Sequence, residues 1–270
     1  MPELPEVETV RAAMAAHLVG RTVAGAWTSG LRLREPLSRA RVRSLAGERF
    51  TGARRRAKFL LLELSSGRTL LVHLGMTGNL VFRDGGRILH DHVVLTLDEG
   101  PPLVYADARR FGLFQVLTPR QLERSPWLRH LGVEPLSDDF DAGYLRGAAR
   151  GRSRPIKSLL LDGRVVAGLG NIYACEALFG ARIRPTTPAG RIGPRRAERL
   201  VEEIKAVLQR AVAKGGTTIS DYLGSGAGGR FQQELAVYGR AGEGCVVCDR
   251  PLRNRAIAGR STFYCTRCQT

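Results

Sequence analysis

Two groups of residues in this sequence have the types and spacing to do chemistry. The first is the N-terminal octapeptide Met1-Pro2-Glu3-Leu4-Pro5-Glu6-Val7-Glu8. Once Met1 is removed, Pro2 is a secondary amine that can attack an electrophilic carbon and pass directly to an iminium. A terminal amine titrates at roughly 7.7–8.0, so free base is available near neutrality. Glu3 stands beside it and can move protons. The octapeptide is equally a well-formed helix start, because Pro5 suits the first turn and the acids suit the positive end of the helix dipole. The second group is Cys245-x2-Cys248, followed after sixteen residues by Cys265-x2-Cys268. Two such pairs place four thiolates around one tetrahedral position, which makes one structural zinc site with no coordination position left for substrate. Two disulfides are the alternative, disfavoured in a chain without a secretory signal. Cys175 is left over and reads as a buried free thiol.

The charge of the chain suggests what these groups act on. Lys and Arg number 42 against 25 Asp and Glu, for a net charge of +17. A foldable chain that basic points to a polyanion, with nucleic acid the leading candidate and a solvated basic surface the alternative. Only four of the basic residues are lysines: Lys58, Lys157, Lys205 and Lys214. A lysine kept against that bias supplies what arginine cannot, a compact ammonium able to lose its proton, and this singles out Lys58 after Arg54-Arg55-Arg56. No apolar run reaches the ~18 residues of a membrane helix. The N-terminus carries acids where a signal peptide carries basic residues, so a cytoplasmic protein that meets no membrane is expected.

The elements that must position these residues fall into two halves. From Val23 to about Leu117 short strand-like segments (23–29, 58–64, 69–74, 93–97 and 113–117) alternate with Gly- and Asp-rich turns, the pattern of a sandwich or barrel. Two glycine-broken stretches interrupt it, His73-Leu74-Gly75-Met76-Thr77-Gly78 and Asp107-Ala108-Arg109-Arg110-Phe111-Gly112. On pattern alone Met76 and Phe111 read as core residues, although tips bearing Met, Arg and Phe can also wedge into a base stack. Residues 120–154 read as a boundary. Beyond it Pro155 opens a helix, Asn171 is placed to cap another, and 194–213 carries Leu200, Ile204, Leu208 and Val212 on one face before Gly215-Gly216. The glycine-rich stretch 217–230 reads as a linker or lid, and the basic four-cysteine module follows, with Arg260 near the tip of a hairpin.

With these pieces in order, the chain resembles bacterial formamidopyrimidine-DNA glycosylases from end to end. The resemblance rests on the octapeptide, Arg56-Ala57-Lys58-Phe59, His73-Leu74-Gly75-Met76, Asp107 to Gly112, Gly168-Leu169-Gly170-Asn171-Ile172-Tyr173, Phe231-Gln232-Gln233, Val237-Tyr238-Gly239-Arg240 and the cysteines. It implies an α+β fold of two domains: an N-terminal β-sandwich with flanking helices (1–130), and a helical helix–two-turn–helix domain (131–238, lesion loop 217–230) ending in a zinc finger (239–270). DNA is expected to run between the two domains. The resemblance further implies a bifunctional glycosylase and abasic-site lyase, a monomer associated with the nucleoid, acting on duplex DNA that contains oxidised purines or abasic sites. Pro2 then attacks C1′ and Glu3 acts as acid and base at the sugar. Glu6 shapes the site, and Lys58 lies near the lesion and its phosphate. His73, Asn171, Arg260 and Lys157 match phosphate-clamping positions. Met76, Arg109 and Phe111 match residues that fill the gap left by the extruded base, which reverses the pattern-only reading. The stretch 224–229, Gly163-Arg164 and Cys175 depart from residues more usual in the family.

Two other readings use the same residues. An endonuclease VIII type enzyme acting on oxidised pyrimidines typically begins Pro-Glu-Gly-Pro-Glu, where this chain has Leu4. A non-catalytic, zinc-containing DNA-damage binder has no need of Pro2, Glu3 and Lys58 together.

Overall fold

The computed structural model describes residues 2–216 and 230–270. Met1 and nearly all of the expected lesion loop 217–230 lie outside the described residues. These residues divide into two compact units, one of residues 2–129 with 215 and 216, the other of His130–Lys214 with Arg230–Thr270.

The first unit begins with α1 (Leu4–His17). Val7, Val10 and Met14, together with Leu18 just beyond the helix, are all fully buried, as their helical spacing requires. Each such side chain contributes about 1.5–3 kcal/mol, enough to hold the helix and its N-terminal residues in one place. Eight strands follow, interrupted by the short α2 (Arg39–Arg43). They are β1 (Val23–Thr28), β2 (Phe50–Arg56), β3 (Phe59–Leu64), β4 (Thr69–His73), β5 (Gly78–Phe82), β6 (Asp91–Leu97), β7 (Leu103–Asp107) and β8 (Leu113–Leu117). All pairings are antiparallel, in two four-stranded sheets of order β1-β6-β7-β5 and β2-β3-β4-β8. Leu60, Leu62, Leu70 and Val72 of one sheet and Leu80, Leu95, Leu103 and Tyr105 of the other share a single core with α1. The structure is thus a β-sandwich, with α1 packed against β2 and β3. Strands β2, β5 and β7 were not anticipated. In β2 Gly52 and three arginines mask the strand pattern, and β5 and β7 are five-residue segments, mostly buried, that show no strict alternation.

The short α3 (Pro119–Glu123) closes the first unit. The second holds α4 (Ala142–Ala149), α5 (Ile156–Leu160), α6 (Asn171–Gly180) and α7 (Pro194–Ala213). Here α7 packs on α6 and α4 and buries Leu200, Ile204 and Leu208, and α4 lies inside the stretch that composition reads as a boundary. A two-stranded hairpin, β9 (Arg253–Ile257) with β10 (Arg260–Tyr264), completes the unit between the two cysteine pairs. No helix among the described residues is long and apolar enough to cross a membrane.

Candidate functional site

In the first unit the candidate chemistry gathers where α1 begins. Pro2 is buried immediately ahead of the helix and Glu3 is its N-cap. The Glu6 carboxylate accepts the Glu3 N–H at 2.8 Å, one arm of a capping box. Both carboxylates are buried. The local helix-start chemistry and the reactive-amine reading are therefore compatible, because the cap is what fixes the residue that carries the amine. Gly216 packs on the same carboxylate. Its φ is +78°, and a Cβ there would lie 2.7 Å from Glu6 Oε1, so the chain beyond α7 can pass Glu6 only as glycine.

Lys58 does not open a strand as expected. It occupies the two-residue turn of the β2–β3 hairpin, after Ala57 at φ +53°, a left-handed residue of the kind such hairpins demand. That turn is tied back to α1. Glu8 accepts from Arg55 Nε at 2.9 Å and from Arg11 Nε at 2.7 Å, while Arg55 Nη1 donates to the Ala57 carbonyl at 2.9 Å. Sequence reasoning missed this strap because Glu8 and Arg55 are 47 positions apart.

His73, at the end of β4, is buried, with its ring 4.7 Å from that of Phe59. Burial first, then the positive charges of Arg34 and Lys58, drives its pKa down to about 3. Nδ1 accepts the Gly75 N–H at 2.9 Å, so the neutral ring carries its proton on Nε2 and offers one fixed donor. The folded pKa lies below the unfolded value of 6.5. The contribution of His73 to stability is therefore complete above pH 6.5 and is lost progressively as pH falls from 6.5 toward 3. The imidazole resonance of His73, assigned by its absence in His73→Gln, is expected to show no inflection between about pH 5 and 8. An inflection near the unfolded value would mean that the ring is exposed and free to charge.

Met76 and Phe111 are 44% and 46% exposed, so neither is a core residue. Arg109 lies over the Phe111 ring, 4.9 Å from its centroid, a cation–π contact. These three residues stand on two adjoining turns, β4–β5 and β7–β8, joined through Thr77 and Asp107, a contact across 30 positions that no local pattern reveals.

In the second unit the cysteines converge. The four sulfurs lie within 4.8 Å of one another, with Cys245 to Cys268 at 3.9 Å and Cys248 to Cys265 at 3.6 Å. Zn–S bonds of about 2.3 Å in a tetrahedron put sulfurs roughly 3.8 Å apart, so the cradle fits a single structural zinc. The Cys268 N–H points at Cys265 Sγ (3.4 Å), and Gln269 Oε1 accepts the Cys265 N–H at 2.8 Å. Cys175 is a fully buried thiol packed behind Cys245 and Cys265.

The zinc-bound hairpin is pinned to the helices, and two expectations change as a result. Lys157 is not displayed toward phosphate. It is fully buried, and its ammonium donates to the Ser261 carbonyl (3.0 Å) and to Thr262 Oγ1 (2.6 Å). A buried ammonium needs such acceptors, and β10 supplies them. Asn171 is not an N-cap either; Gly170 holds that position, and Asn171 Nδ2 donates to the same Ser261 carbonyl at 2.9 Å. Arg260 is exposed next to the Ala258-Gly259 turn, both of whose residues have positive φ. Glu176 was also missed. From inside α6 its carboxylate accepts three successive backbone N–H groups, of Ala236, Val237 and Tyr238, at 2.8–3.0 Å, fixing the segment that leads into the zinc module.

Comparison with known proteins agrees with this geometry unit by unit. Residues 1–114 match the formamidopyrimidine-DNA glycosylase N-terminal domain, 131–222 its H2TH domain, and 242–270 the zinc finger found in FPG and IleRS. The chain belongs to the formamidopyrimidine-DNA glycosylase family. A family member from Pectobacterium atrosepticum is 48% identical over 278 residues, covering all of both chains. The crystal structure of the Thermus thermophilus glycosylase superposes with a TM-score of 0.88 at 40% identity, covering 99% of this chain and 98% of that one. That of the Lactococcus lactis glycosylase, solved as a complex with DNA containing an abasic site, superposes with a TM-score of 0.90 at 34% identity over the whole of both chains. As a member of the formamidopyrimidine-DNA glycosylase family the chain is a DNA-repair glycosylase, and its four cysteines are the family's zinc finger.

Proposed function

We infer that this glycosylase excises oxidised purines, 8-oxoguanine and formamidopyrimidines, from duplex DNA and then cuts the strand at the resulting abasic site. The observation that carries the reading is the fixed N-terminus. Pro2 is held at the head of α1, with the buried carboxylates of Glu3 and Glu6 beside it. With Met1 removed, the Pro2 nitrogen attacks C1′ of the damaged nucleoside. The bond from C1′ to the base breaks, and its electron pair leaves with the base, which takes up a proton. The Pro2 nitrogen then loses its own proton, and its lone pair opens the C1′–O4′ bond as Glu3 protonates O4′. The resulting iminium acidifies C2′–H. Loss of that proton expels the 3′-phosphate, and a second elimination expels the 5′-phosphate. Hydrolysis releases the sugar remnant and restores Pro2.

The remaining residues serve recognition. Glu6 shapes the site around the sugar and base, and Lys58 meets the lesion and its phosphate. His73 donates to a phosphate from Nε2 without carrying charge, while Asn171 and Arg260 supply the second unit's phosphate contacts. C1′ is shielded in a stacked duplex, so the nucleotide must be extruded at a cost of roughly a few kcal/mol. Met76, Arg109 and Phe111 fill the space it leaves. Borohydride trapping on a duplex with 8-oxoguanine opposite cytosine, followed by intact-mass analysis, tests the reading. An adduct at Pro2 of Met1-free protein is expected. No adduct there or on an abasic site, despite tight DNA binding, would leave a non-catalytic damage binder.

A further inference from the structure

The exposed tips that carry Met76 and Phe111 come from separate turns, yet they are built as one piece. Thr77 Oγ1 donates to Asp107 Oδ1 at 2.6 Å, across 30 positions of sequence, and accepts the Arg109 N–H at 3.1 Å. The second oxygen of the same carboxylate accepts the Gly112 N–H at 2.8 Å. Asp107 is fully buried, and its main chain is used as well. Its N–H donates to the His90 carbonyl at 3.0 Å, and its carbonyl lies 3.0 Å from His92 Nε2. The two turns also touch through bare backbone. A Cβ on Gly75, which has φ +65°, would lie 2.6 Å from the Gly112 nitrogen and 2.7 Å from the Phe111 carbonyl carbon. The Tyr105 hydroxyl is a third, longer donor to the Asp107 carboxylate, reaching its second oxygen at 3.5 Å, and Thr77 is the donor to the first. A buried carboxylate oxygen that loses its donor costs free energy, because it finds no water in its place. The side-chain hydroxyl of Thr77 therefore joins the Met76 turn to both the Asp107 carboxylate and the Arg109 backbone.

We propose that Thr77 and Asp107 form a staple that holds the Met76 and Arg109–Phe111 tips in one rigid arrangement, and that Thr77 is a positioning residue for filling the gap left by an extruded base. This rests on the glycosylase reading given above. Neither residue touches the reacting atoms. A wedge acts as a unit only if its parts enter the stack together, and without the staple the competent arrangement is populated for only part of the time, which lowers the apparent rate by that fraction. The demand is greatest for a lesion whose base still stacks and pairs, and least for an abasic nucleotide, which has no base to pull out.

Thr77→Val keeps the shape of the side chain and removes the hydroxyl, while Thr77→Ser keeps the hydroxyl. Both are compared with the full-length, Met1-free wild type on two duplexes, one with 8-oxoguanine opposite cytosine and one with a preformed abasic site. A 2-aminopurine neighbouring the lesion reports wedge insertion by stopped-flow fluorescence. For Thr77→Val, kcat/KM for base excision is expected to fall on the order of tenfold, as the loss of a hydrogen bond to a charged, buried group implies. The 2-aminopurine step should slow in parallel. Strand cutting at the abasic site should change less than about twofold, since no base has to be extruded there, and Thr77→Ser should restore the wild-type behaviour. Equal losses on both substrates, or an unchanged fluorescence step in Thr77→Val, would overturn the staple. Should Thr77→Val fail to fold, Asp107→Asn is read in the same way. If the wild type itself cuts neither duplex, it is the glycosylase reading that fails.

Discussion

Pro2→Gly is expected to lower base excision by roughly 10²–10⁴-fold, the scale set by losing a positioned reacting group. Glycine at the terminus still offers an amine, but a primary one, without the ring that fixes its direction. In this fold the direction is what matters, because Pro2 enters a helix whose first turn is already closed by Glu3 and Glu6. Affinity for lesion-containing duplex should stay within roughly threefold, since phosphate contacts supply most of it. The borohydride-trapped adduct should fall with excision. The paired measurement is single-turnover excision and a binding isotherm on the same preparation. Equal loss of both would assign Pro2 to the folding of the helix start and sink the nucleophile. Wild-type excision by the Pro2→Gly variant, shown by intact mass to have lost Met1, would show that the secondary amine and its ring are not what the reaction needs.

Cys265→Ser is expected to release the zinc and with it most of the DNA affinity. Structural zinc sites carry roughly 10–16 kcal/mol of apparent binding free energy in small modules. A two-stranded hairpin such as β9–β10 is marginal by itself. Helix anchors remain, through Lys157 and Asn171 on the Ser261 carbonyl and Lys157 on Thr262, but they hold two adjacent residues of one strand and cannot define the turn that presents Arg260. Metal content by mass spectrometry and affinity as a function of salt make the check. Loss of the hairpin contacts should flatten the slope of log K against log salt by about one for each phosphate contact given up. Arg260→Gln, with its zinc intact, should lose one such step. Unchanged affinity in zinc-free Cys265→Ser would show that the hairpin does not hold DNA.

What could be read from the sequence is what depends on neighbours a few positions away. The helical face of α1, the turn-forming cysteine pairs and the Pro-and-acid helix start are all set by spacings of about two to four residues. Most of the strands and the long amphipathic α7 follow from the same short-range periodicity. The four lysines among 42 basic residues marked Lys58 as unusual, though its place in the β2–β3 turn, with Ala57 forced to a positive φ, came only from the structure.

Tertiary structure decided whatever depends on burial and on distant partners. Nothing local distinguishes Lys157, sealed against Thr262 105 positions away, from a lysine held out to solvent. Asn171 precedes a helix as a cap would, and its amide is taken instead by a strand 90 positions on. Met76 and Phe111 have core composition and are displayed, because Gly75, Thr77, Asp107 and Gly112 leave their turns no inward path. The physical reason is common to all of these. Apolar periodicity reports which face of an element is buried, whereas the partner of a polar group is set by which chain segments the fold brings within about 3 Å, the reach of a hydrogen bond.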